Sequence, residues 1–169
     1  MTPYLVTPPA ILPVDLADMK AHLRAVHDDD DAMIDSLIAG AVAMLDGWGG
    51  VLGRCIMPQT WAVDVTGPGP HLLPFPEASN VTAQGVSGAL DVSVKCSFAG
   101  PLVTVEDAGA DEPLMIEFVS GLSDERLPLA QSLVKLMVLR EYDALSGPDG
   151  DAITRSIDSM IGALRWHRV

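Results

Sequence analysis

The sequence predicts an α+β fold: a helical bundle of about four helices with an inserted antiparallel β segment of short strands. Three observations lead there. Apolar residues recur at helical spacing in two separated stretches, 14–50 and 126–165, each bounded by capping residues, glycines or prolines. Between them, over 58–120, apolar and polar residues alternate in short runs broken by Gly, Pro, Asn and Ser. The chain's 169 residues, 49% of them hydrophobic, suit one domain with enough apolar material for a core. The expected organisation is a single unit over 1–169, comprising a helical hairpin (14–50), a β segment (58–120), C-terminal helices (126–165) and a terminal tail (166–169).

Residues 1–13 are proline-rich and carry no base, and no element is assigned to them. Asp15 is placed to cap a first helix over about 15–26, with Asp18 three residues on, where a capping box has its acid. Lys20, His22 and Arg24 lie toward the far end, where cations suit the helix dipole. The run Asp28-Asp29-Asp30-Asp31 supplies a cap and first-turn carboxylates for a second helix over about 30–47. Its apolar residues Met33, Leu37, Ile38, Ala41, Leu45 and Trp48 keep helical spacing until Gly47, Gly49 and Gly50 stop it.

Period-2 patterning follows. Trp61, Val63 and Val65 alternate with Thr60, Ala62 and Asp64 in a half-buried strand that ends at Gly67-Pro68-Gly69-Pro70. A short edge piece is expected at 71–74 and strands at 81–86, 90–96, 102–105 and 114–119, with Ser87-Gly88 forming a hairpin turn. The acid-rich segment 106–112 is a loop. Helical pattern returns at Pro128, a residue tolerated in a first turn because the N–H it lacks would be unpaired there anyway. From Leu129 to Tyr142 that helix is apolar on nearly every face, so it should be central and covered on several sides. Residues 146–150 read as a loop, and Asp151 as the cap of a last helix with Ile153, Ile157, Met160, Ile161 and Leu164 on one face. The four helices should share a core that buries Trp48, Leu133, Met137, Ile157 and Ile161.

Charge excludes some functions. The net charge of −13 is uneven: −6 over residues 1–50, −6 over 51–122 and only −1 over 123–169. The last fifteen residues hold Arg155, Arg165 and Arg168 against Asp158 alone, a tail suited to an acidic surface, or simply to a helix C-terminus. The acidic bulk argues against sequence-specific nucleic-acid binding, which draws most of its affinity from Lys and Arg on phosphate. No apolar run approaches the roughly 20 residues of a membrane-spanning helix, so neither secretion nor membrane insertion is expected. Cys55 and Cys96 belong to no CxxC or Cys/His cluster and are expected as buried, reduced thiols. There is no GxSxG, P-loop, GxGxxG or HExxH motif, and the acidic run lacks an EF-hand's glycine and terminal glutamate. No catalytic, cofactor or metal residues are assigned. His22 and His27 lie near carboxylates, but polar residues at helix ends are commoner than ligands.

The phrase Leu16-x-x-Met19-Lys20-x-His22-Leu23-Arg24, the acidic start at Asp28 to Asp31, and Gly53-Arg54 followed by Gln59-Thr60-Trp61 together resemble the head-to-tail connector (adaptor) proteins of tailed phages and phage-derived gene transfer agents. The likeness continues through Arg126-Leu127-Pro128 and Glu141-Tyr142. It implies a structural virion protein, no enzyme, located in the particle neck and assembled in the bacterial cytoplasm. It further implies a helical bundle with a β portion and a dodecameric ring of copies under the portal. The partners implied are the portal protein and the next neck or tail-completion protein, with DNA passing through the channel without specific binding. The C-terminal segment Leu164, Arg165, Trp166, His167 and Arg168 would then dock on the portal. A terminal Trp flanked by arginines fits an interface anchor, because both residue types are enriched among binding hot spots; packing of Trp166 within its own chain is the alternative. A different class of function, a small ligand-binding or enzymatic α+β domain, would need a pocket between helices and sheet.

Overall fold

The computed structural model describes residues 1–143 and 147–166. It has the α+β class the patterning predicts, with four helices and eight short strands among the described residues. The order is β1 (Tyr4–Thr7), α1 (Leu16–Leu23), α2 (Asp31–Leu45), β2 (Gln59–Thr66), β3 (His71–Leu72), β4 (Ser79–Gly85), β5 (Gly88–Leu90), β6 (Val92–Ser97), β7 (Gly100–Val105), β8 (Pro113–Ser120), α3 (Leu127–Tyr142) and α4 (Gly147–Leu164). Every strand pairing is antiparallel, in a five-stranded sheet β1-β2-β8-β4-β5 and a three-stranded sheet β3-β7-β6.

Two apolar cores result. In the helical core, Met19, Ile34, Ile38, Leu45, Leu133, Val134, Met137, Ile157 and Leu164 are buried together. α3 is its centre and packs against α1, α2 and α4, as expected of a helix apolar on several faces. The second core lies between the sheets and gathers Trp61, Val63, Ile116 and Phe118 from the larger sheet with Val103 and Val105 from the smaller one. Phe75, in the β3–β4 loop, sits fully buried among Trp48, Trp61 and Phe118 at ring centroid distances of 6.3, 5.1 and 6.2 Å. Those separations fall within the range of favourable edge and tilted aromatic contacts.

The motif residues of the helical hairpin hold elements together. Asp15 caps α1 by accepting from the Asp18 N–H at 2.7 Å. Lys20 reaches the Asp28 and Asp31 carboxylates at 2.6 and 2.5 Å, so the acidic run folds back onto α1. Asp30 occupies the N-cap position of α2 without a side-chain cap, because its carboxylate instead accepts from the Tyr142 hydroxyl at 2.7 Å. Tyr142 thereby ties the end of α3 to the start of α2.

Several expectations are corrected. β1 is not visible in the patterning, because four exposed residues between prolines carry no periodicity and the strand exists through its pairing with β2. The expected strand 90–96 is two strands. The chain leaves the larger sheet after Leu90 and enters the smaller one at Val92, turning at Asp91, whose carbonyl accepts from the Glu106 N–H at 2.8 Å. Alternation continues through that corner, so the pattern hides it. α4 begins at Gly147 rather than Asp151, with proline and an acid in its first turn where both are well tolerated. Ala62 is fully buried although the alternation puts it on the wet face, because it lies in register between Tyr4 and Glu117, whose larger side chains flank it. Met33 is exposed and Ile34 takes its place in the core, a one-residue rotation of the α2 stripe. Cys55 is buried as expected, but Cys96 is exposed on the outer face of β6; both are free thiols. Ile161 is half-buried, and Trp48 joins the sheet core instead of the helical one.

Candidate docking site

The connector between α2 and β2 joins the two cores, carries the Gly53-Arg54 motif and leads into Gln59-Thr60-Trp61 at the start of β2. Gly47 opens it with a positive φ of 75° and packs its α-carbon edge on the Trp61 ring, a conformation and a fit that a side chain would disturb. That turn swings Trp48 away from the helical bundle and onto Phe75. Asp46, the residue before it, accepts from the Ile56 N–H at 2.6 Å and from the Gln59 side-chain amide at 2.7 Å, which pins the connector to the start of β2. Burial pushes the Asp46 carboxyl above the ordinary Asp value, while those two donors pull it back.

Arg54 is 3% exposed, and its Nη1 lies 3.1 Å from Glu77 Oε1 of the β3–β4 loop. The contact is an ion pair by distance but not a hydrogen bond by direction, and Nε, Nη1 and Glu77 Oε2 have no hydrogen-bond partner among the described residues. Burial therefore dominates at both ends. It lowers the Arg54 pKa and raises that of Glu77, with the attraction of Arg54 and Arg126 opposing the rise at Glu77. Cys55, next in sequence, is pushed up to about 12 by burial, so it is an inert core thiol at neutral pH.

The C-terminal segment meets this connector. Leu164 is 1% exposed in the helical core, so it holds the end of α4 in place and offers no surface to a partner. Arg165 is exposed, its N–H still bonded to the Ile161 carbonyl at 2.8 Å. Trp166 is half-buried, and its N–H donates to the Leu52 carbonyl of the connector at 2.8 Å. Its side chain lines a cavity of about 160 Å³ together with Met1, Trp48, Leu72, Leu73, Pro74 and Ala99. Trp166 thus packs in part against its own chain, as the intramolecular alternative expects, and is half-buried there. His167 and Arg168 lie outside the described residues. Sequence reasoning missed the contributions of Trp48, Leu52 and the Leu72–Pro74 loop to this surface. The three glycines after Asp46 were a signal that Trp48 had left its helix, but not of where it went.

Among the described residues no group of three or more His, Cys, Asp or Glu could hold a metal ion, and no helix is long and apolar enough to cross a membrane. His22, in the last turn of α1, and His27, between α1 and α2, are both exposed.

No protein-family model matches this chain, and a search of curated proteins finds no match. Among solved structures, it is similar to a chain of the neck of an empty GTA particle computed with C6 symmetry. The TM-score is 0.65 at 21% identity, and the match covers 100% of this chain and 97% of that one. At such identity the likeness is one of fold, and it takes in the helical hairpin, the β segment and the C-terminal helices together: end to end, this chain has the fold of a GTA-neck chain.

Proposed function

We propose that the chain is a structural neck protein, a head-to-tail connector that binds a portal ring and joins capsid to tail. The observation that carries this reading is the end-to-end fold likeness to a neck chain, in which neither protein leaves a domain unmatched. On this reading residues 1–169 work as one connector unit. Copies meet in a ring, with a dodecamer the expected number, the next neck or tail-completion protein attaches on the side away from the portal, and DNA crosses the channel without specific contacts. The exposed Arg165 and the half-buried Trp166, together with His167 and Arg168 that follow them in sequence, are assigned to the portal anchor, and Leu164 fixes the helix end that precedes them. Burying an indole with flanking guanidiniums on carboxylates suits a hot spot, and a ring multiplies each foothold.

Deleting Arg165 to Val169 tests the anchor. The loss of the Trp166–Leu52 hydrogen bond and of a half-buried indole should cost only about 1–2 kcal/mol of stability. Attachment to portal-bearing capsids should disappear, read as the absence of the chain from purified particles. Truncated protein that joins capsids at wild-type occupancy would place the anchor elsewhere.

A further inference from the structure

We propose that the β6–β7 hairpin is a docking arm for a second copy of this chain, its Phe98 entering the groove between α2 and α3 of the neighbour. Phe98 sits at the hairpin tip and is 88% exposed. The turn is closed without it, by the Ser97–Gly100 pairing, the Ser97 hydroxyl donating to the Gly100 carbonyl at 2.6 Å, and Gly100 at φ 125°. Turns favour small or polar residues, so a projecting phenylalanine gains nothing from the fold. Elsewhere in the same small sheet, Val94 on β6 and Leu72 on β3 are 42% and 37% exposed. Residues 92–105 contain Lys95 and no acid, within a chain of net charge −13. An apolar, weakly basic arm fits an acidic surface with an apolar slot.

The chain carries such a slot on its other core. A groove of about 330 Å³ runs between α2 and α3, lined by Leu37, Gly40, Ala41, Met44, Met137 and Val138. A Cβ built on Gly40 would meet nothing within 4 Å, so the missing side chain leaves the groove open, and methionines adapt to an incoming ring. At its edge Arg140 is already paired with Glu141 at 2.8 Å, and α2, which forms one wall, belongs to the stretch 1–50 with its net charge of −6. Knob and slot belong to different cores of one molecule, so their contact is head-to-tail. Repetition of such a contact closes into a ring where the rotation permits. The inference deepens the connector reading and rests on it for the expectation that copies meet in a ring.

The test uses the full chain carrying Phe98→p-benzoylphenylalanine, irradiated at its highest soluble concentration. A covalent dimer linked at Leu37–Met44 or Met137–Glu141 is expected. Gly40→Gln, whose Cβ would meet nothing within 4 Å and whose longer side chain would occupy the groove, should lower the dimer yield about tenfold while leaving the melting midpoint unchanged or higher. Absence of a covalent dimer, or cross-links confined to the partner's sheets, would overturn the proposal. Particle incorporation separates the two readings. A chain that cross-links as expected but never enters particles sinks the connector function alone, whereas Phe98→Ser entering particles at full occupancy sinks the interface alone.

Discussion

At the scale of single residues, the buried polar groups of the connector are the most sensitive points. Glu77→Gln removes the only carboxylate that, among the described residues, lies within ion-pair distance of a guanidinium that is 3% exposed, so it should cost about 3–5 kcal/mol in urea unfolding. Arg54→Met should cost clearly less, because the thioether fills similar space and Glu77, with 29% of its side chain exposed, can take up water or a proton. Asp46 has a different signature. Asp46→Ala strands the Ile56 N–H and the Gln59 amide and should cost about 2–3 kcal/mol, whereas Asp46→Asn keeps an acceptor for Ile56 while Gln59 turns its amide over. The raised pKa of Asp46 means that the folded state holds its proton more tightly than the unfolded chain does. The stability from that protonation is complete below the ordinary value of 3.8 and is lost as pH rises through the folded value. Relative to Asp46→Asn, wild-type protein should therefore gain stability as pH falls through the carboxylate range, read as the difference between the two unfolding curves at each pH.

At the scale of elements, the β3–β4 loop acts as a plug, since it supplies Phe75 to the sheet core and Glu77 to the connector. Phe75→Ala should cost about 3–5 kcal/mol, because a ring enclosed by three other aromatics leaves a cavity that they cannot collapse into; near-UV circular dichroism at equilibrium would show the aromatic cluster loosened. α3 plays the corresponding part in the other core, packing against all three other helices. The surface pairs Lys20–Asp28 and Lys135–Asp18 set the approach of α1 but add little stability, as exposed ion pairs do.

At the scale of the whole molecule, two cores share one connector, and close packing extends across the joint. Gly121, just after β8, lies so near Pro58 that a Cβ there would come within 2.8 Å of its nitrogen. The net charge of −13 surrounds this body. Purified protein mixed with duplex DNA at low salt should give no mobility shift, since few Lys or Arg are free to displace counterions; binding tighter than about micromolar would overturn the view that DNA passes without specific contact.

What the sequence determined by itself was whatever depends on local periodicity and end chemistry. The helices from α1 to α4, the Asp15 cap, the strands around Trp61 and Leu114, and the centrality of α3 were all readable, because side-chain spacing and capping act within a few residues. Tertiary structure alone decided the rest. β1 exists through a partner more than fifty residues away, the corner at Asp91 divides one alternating run between two sheets, and Trp48 belongs to whichever core the Gly47 turn directs it toward. The candidate anchor divides in the same way. Its Trp and Arg composition was visible in the chain, but the burial of Leu164 and the seating of Trp166 on Leu52 follow from packing between distant segments, which no local pattern encodes.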